Sequence, residues 1–148
     1  MTDSQLFKIG SSILLIVNVV LILFGCIYAI RAELMPYHIE FIGASTYDTI
    51  ANNYPNVLIL SQLMIMLVGF LFLSIGTVYT FIWYYSFRKG EKWAWLAILV
   101  SGALILIPLM YVILIVAGFG FPFPVGCVSL ILWVVAMAFT AKEALGTE

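Results

Sequence analysis

Four apolar stretches, residues 9–30, 57–85, 93–117 and 124–141, take up most of this chain of 148 residues. A helix needs about 20 apolar residues to cross the hydrocarbon core of a bilayer, and each stretch approaches or exceeds that length. In lipid every backbone N–H and C=O must be satisfied inside the segment, which makes a helix the conformation of a lone apolar run. Apolar residue types make up 65% of the chain and charged types only 9%, and the charges gather in the gaps. The expected fold is an all-α membrane protein with a single domain of four transmembrane helices.

Short links join the second to the third stretch and the third to the fourth, which predicts an up-down-up-down bundle. The exception is the segment 31–56, which is long enough to hold structure of its own. There Ser45-Thr46-Tyr47-Asp48 has the pattern of a capping box, and Tyr47, Ile50, Ala51 and Tyr54 follow at helical spacing. A short amphipathic helix is expected in this first extracytoplasmic loop, stopped by Asn52-Asn53-Tyr54-Pro55.

The basic residues set the orientation. Lys8, Arg88, Lys89, Lys92 and Lys142 fall on one side of the four spans and Arg31 alone on the other. The positive-inside rule places both termini and the 86–92 turn in the cytoplasm of a multi-pass protein of the cell membrane. The first span is longer than the core of a cleaved leader and lacks a good cleavage pattern, so it is expected to be retained. Tyr79, Trp83, Tyr84, Tyr85, Trp93 and Trp95 cluster at the same side, as an aromatic belt at headgroup depth.

A net charge of −1 argues against a nucleic-acid partner, which would require a dense basic face. No acidic or basic side chain lies deep in a span, which argues against proton relays, ion pumps and voltage sensors. Cys26 and Cys127 each lie inside a span without a Cys-x-x-Cys pattern, and are expected to be two free thiols. The lone histidine and scattered carboxylates lack the spacing of a metal centre. No metal and no cofactor are expected.

Chemistry, if any, concentrates in the outer loop. His38 titrates near neutrality, and with Glu40 or Asp48 it would form a general acid–base pair. The plainer reading makes Met35-Pro36-Tyr37-His38 an interfacial turn, with Tyr37 and His38 as anchors. Arg31 ends the first span, where it would snorkel to the interface or meet an anionic group. Asn18, Gln62 and Ser101 are the main polar side chains within spans. They would line a ligand cavity or serve as interhelical glue at about 0.6 kcal/mol each. Gly69 and Gly76 mark a small-residue face on which another helix can approach closely, Ser101-Gly102 offers a second such point, and Pro108 should bend the third span.

Three functions compete. The first is a non-catalytic membrane subunit or scaffold, packing on a membrane-protein partner or a second copy through apolar and small-residue faces. The second is an enzyme or binder of a lipid-like small molecule, with an outward-opening pocket near Asn18, Tyr37, His38 and Glu40. The third is an oligomeric pore wetted by Asn18 and Gln62. The balance of features leans away from an enzyme, and the lipid bilayer is the one partner common to all three.

Leu34-Met35-Pro36-Tyr37-His38 after the first span and Arg88-Lys89-Gly90-Glu91-Lys92-Trp93-Ala94 after the second together resemble a broad set of small prokaryotic four-span membrane proteins, the second motif being similar to one in DoxX-like proteins. The resemblance implies a four-span fold and no catalytic residues. The chain departs from claudins, whose first outer loop carries Trp and Cys, and from tetraspanins, whose second outer loop is large; here residues 31–56 contain neither residue type and 118–123 are few.

Overall fold

A computed structural model describes residues 3–146, and among them every regular element is helical. The helices are α1 (Asp3–Arg31), α2 (Pro36–Ile42), α3 (Ala44–Asn53), α4 (Pro55–Tyr85), α5 (Lys92–Ala117) and α6 (Pro122–Leu145), with a 3-10 turn at Phe87–Lys89. α1, α4, α5 and α6 are each long and apolar enough to cross a membrane, in agreement with an all-α, multi-pass membrane protein. Prolines open α2, α4 and α6, where the missing N–H costs no intrahelical bond. Between α4 and α5, Gly90 takes a left-handed conformation (φ 77°, ψ 20°) that closes the 3-10 turn.

Small residues set the packing. Gly25 lies against Leu73, Gly69 against Ala29, and Gly76 against Ile22. Rising numbers on α1 therefore meet falling numbers on α4, and the Gly69–Gly76 face is taken by α1 of the same chain. At its other end α1 packs on α6, where Gly10 meets Ala136, Phe139 and Thr140. α6 in turn holds α5, with Gly102 against Trp133 and Gly126 against Met110. Around the bundle the order is α4, α1, α6, α5. Despite their short link, α4 and α5 touch only sparsely, because Gly102 and Gly126 let α5 mesh with α6 instead. One direct bridge between them is a hydrogen bond from Tyr79 Oη to Ser101 Oγ (2.7 Å).

The core is lopsided. Leu14, Val17, Phe87, Trp95, Ile98, Trp133, Ala136 and Met137 form one buried cluster toward the end that carries Lys8, Arg88, Lys89, Lys92 and Lys142. Aromatic side chains tie this basic end together. Trp83 Nε1 donates to the Ser11 carbonyl (2.8 Å) and lies near its hydroxyl (2.9 Å). Trp95 Nε1 reaches Thr140 Oγ1 (3.1 Å) and the Met137 carbonyl (3.2 Å). Phe7 stacks on Phe87, and the Arg88 guanidinium sits 4.1 Å from the centre of the Tyr84 ring. The opposite, loop end has no such cluster among the described residues; there the four long helices surround a cavity.

The segment between α1 and α4 holds two helices where the sequence predicted one. α3 starts at Ala44 with Gly43 as its N-cap, and no side chain caps it. The expected Ser45–Asp48 capping box is not formed, since Gly43 (φ 89°) breaks the chain two residues earlier and places Ser45 inside the first turn. The Ser45 carbonyl instead accepts the Thr49 hydroxyl (2.9 Å).

Candidate functional site

The cavity at the loop end has a volume of about 280 Å³, near the small end of ligand cavities. α1 contributes Val17, Leu21, Phe24 and Tyr28; α4 contributes Met64, Ile65, Val68 and Phe72. α5 lines it from Leu106 to Ala117, the stretch around and beyond Pro108, and α6 adds Val125, Gly126 and Ser129. Pro108 itself faces outward. Its missing N–H leaves the Leu104 carbonyl without its helical donor. Met64, Val68 and Val112 line the cavity yet remain 53%, 40% and 52% exposed. The cavity is therefore open sideways, through the gap between α4 and α5.

α2 lies over the loop end of this space. It packs on α5 and reaches α1 through a hydrogen bond between the hydroxyls of Tyr37 and Tyr28. Tyr37 and His38 both face the cavity, their rings 4.3 Å apart. The local sequence explains the placement. Met35 is the N-cap and Pro36 opens the helix; His38 then falls where a capping-box side chain turns back. Its Nδ1 accepts the Met35 backbone N–H at 3.0 Å, so the ring proton resides on Nε2.

Both groups are biased toward their neutral forms. Burial, followed by the bond to Tyr28, pushes the Tyr37 phenol far above its ordinary 10, and burial lowers His38 below 6.5. Ser129, the remaining polar side chain on the wall, donates to the Val125 carbonyl of its own helix (2.9 Å). The site is thus an uncharged apolar chamber with two phenols and an imidazole at its cap. Such a lining is chemically suited to neutral, hydrocarbon-rich matter.

Of the residues singled out in the sequence, Tyr37 and His38 are brought to the cavity. Arg31, Glu40 and Asp48 are exposed and do not line it. Gln62 is half-buried and also off its wall. Asn18 is wholly buried just beneath the cavity floor. Ser101 and Gly102 join α5 to α4 and α6. Cys26 and Cys127 are free thiols. Among the described residues no group of His, Cys, Asp or Glu could hold a metal ion. Sequence reasoning missed Tyr28, Phe24, Met110 and the rest of the apolar wall. Tyr28 alone carried a signal, as a phenol inside the loop-side end of an apolar span.

No family model, curated protein or solved structure matches the chain. The geometry defines a four-span membrane bundle with a capped, laterally open apolar cavity.

Proposed function

We propose that this protein binds a neutral, lipid-soluble small molecule taken from the plane of the membrane. The observation that carries the reading is the apolar chamber under the Tyr28–Tyr37 cap, open between α4 and α5. A molecule entering there would leave one apolar medium for another, so the gain comes from fit and dispersion contacts with the wall. On this reading the opening is sideways, where the loop alone suggested an outward one.

The helix registers support the up-down-up-down arrangement, and the basic end is then cytoplasmic with both termini, leaving α2 and α3 outside. α3 has no buried residue and fits an amphipathic helix lying on the outer surface. Asp48→Cys and Lys89→Cys, each in a Cys26→Ala/Cys127→Ala chain, test this. A membrane-impermeant maleimide added to intact cells should label only the former, and equal labelling of both would refute the orientation.

Native mass spectrometry after mild detergent extraction tests the binding itself. The protein should carry a bound lipid-like molecule and take up aminoanthracene, an apolar fluorophore. Val68→Trp, which fills the space from a half-exposed position, should abolish both without changing the oligomeric state. Equal fluorophore uptake by the two chains, with no bound molecule on either, would overturn the reading.

A subunit or scaffold role is the second reading. α4 is the least buried of the four spans and gives one face, from Gly69 past Gly76 to Trp83, to α1, so a partner helix would sit on its remaining surface. A stoichiometric larger complex surviving extraction would favour it. A pore has less support, because Asn18 is fully buried and the basic half is packed shut.

A further inference from the structure

Asn18 sits where the packed half of the bundle meets the cavity. It is wholly buried, and neither Nδ2 nor Oδ1 finds a hydrogen-bond partner among the described residues. Across from it on α6, Trp133 Nε1 is buried and equally unpartnered. Both residues line one small void of about 10 Å³, as does Tyr79. Tyr79 cannot serve them as a donor, because its proton goes to Ser101, whose own hydroxyl is turned to the Ala97 carbonyl. Val17, Leu21 and Leu106 line both this void and the large cavity. The void is a pit in the cavity floor, with an amide, an indole and a phenol among its lining residues.

We propose that this pit is a binding site for one hydroxyl-type oxygen. Its chemistry follows from the orphaned groups. Trp133 Nε1 and Asn18 Nδ2 are donors and Asn18 Oδ1 is an acceptor, so the guest must accept twice and donate once. A hydroxyl or a water does all three. A carbonyl oxygen only accepts and leaves Oδ1 unpaired; an ammonium only donates and opposes the indole N–H. A carboxylate would bring an uncompensated charge into a neutral site. The volume holds about one oxygen atom, so any carbon attached to it must lie above, between Val17, Leu21 and Leu106. The oxygen is either that of a resident water or the terminal hydroxyl of the molecule in the cavity. In this second form the inference rests on the binding function proposed above.

The indole N–H resonance of Trp133, assigned by its loss in Trp133→Phe, reads the pit directly in the full chain, ¹⁵N-labelled at tryptophan in deuterated micelles. The probes are dodecan-1-ol and dodecyl methyl ether, matched in chain but differing in the O–H. A cross-peak from this N–H to water that persists with both probes supports the site with water as its guest. A shift and loss of the water cross-peak with the alcohol alone supports a ligand hydroxyl. Absence of any water cross-peak, with the two probes acting equally or not at all, overturns the proposal. Asn18→Leu should remove the water cross-peak or the alcohol preference; if instead it moves the indole resonance of a chain that shows neither, the two side chains pair directly and the site does not exist. The decision is made on the unaltered chain, so a variant that fails to fold does not affect it. Should aminoanthracene fail to bind while the water cross-peak is present, the cavity function falls and the oxygen site stands.

Discussion

The hydroxyls of Tyr28 on α1 and Tyr37 on α2 are hydrogen-bonded to each other across the top of the cavity. This contact ties α2 to α1, while backbone packing ties it to α5. Tyr37→Phe removes the bond and little else, at a cost of about 1 kcal/mol. We expect faster amide exchange in α2 and faster release of any bound molecule, with α1 and α4 exchange unchanged. Unaltered exchange in α2 would mean that the phenol pair does not hold the cap.

His38 should make the cap sensitive to acid. Its folded-state pKa lies below the ordinary 6.5 because burial disfavours the cation, and protonation at Nδ1 would also end its bond to Met35. A depressed histidine adds stability that is complete above its unfolded pKa and is lost as pH falls toward and through the folded value. Thermal stability should therefore decline below about pH 6.5. In His38→Gln, which keeps the cap geometry without titrating, this part of the decline should vanish. A histidine NMR titration with a midpoint above 6.5 would contradict the assignment.

The glycines should fall into two groups. A methyl at Gly69 would lie 2.3 Å from the Ala29 backbone nitrogen, and one at Gly25 would lie 2.6 Å from that of Leu73. Backbone cannot step aside, so Gly69→Ala and Gly25→Ala should each cost about 3 kcal/mol as α1 and α4 are pushed apart. At Gly126 the nearest atom is Met110 Sδ, at 2.6 Å. That flexible side chain can swing into the cavity, so Gly126→Ala should change stability by less than about 1 kcal/mol while reducing fluorophore uptake. Melting curves in one detergent would rank the three.

Cys26 and Cys127 should both be alkylated in the denatured chain without any reductant. Intact-mass measurement reads the number directly, and a chain that accepts no alkyl group until reduced would show that the two are paired.

Hydropathy alone made the four long helices legible, and the helices extend beyond the apolar runs. α1 begins earlier, at Asp3, because nothing in Ser4-Gln5-Leu6-Phe7 breaks a helix; α6 runs on to Leu145, where Gly146 closes it in the left-handed region. The outer loop was only partly readable. His38 fills a capping position usually held by Glu or Gln, so the start of α2 was hidden behind an unusual residue, and the Ser45-to-Asp48 spacing pointed to a cap that Gly43 pre-empts. The cavity wall was not readable at all. In a soluble protein the inward face of a helix is marked by its contrast with a polar exterior. Here Phe24, Val68 and Ile113 look no different from their lipid-facing neighbours, since lipid tails are as apolar as the interior. Nor could the short 86–91 link reveal that α5 would pair with α6 through Gly102 and Trp133.

A bundle that is solid in one half and hollow in the other cannot treat the two faces of a bilayer alike. On the binding function proposed above, a molecule lodged between the tyrosine pair and Asn18 would come from a single leaflet and return to it, because the buried aromatic cluster around Trp83, Trp95 and Phe87 fills the other half. Such a protein would sample the composition of one monolayer and be blind to the other.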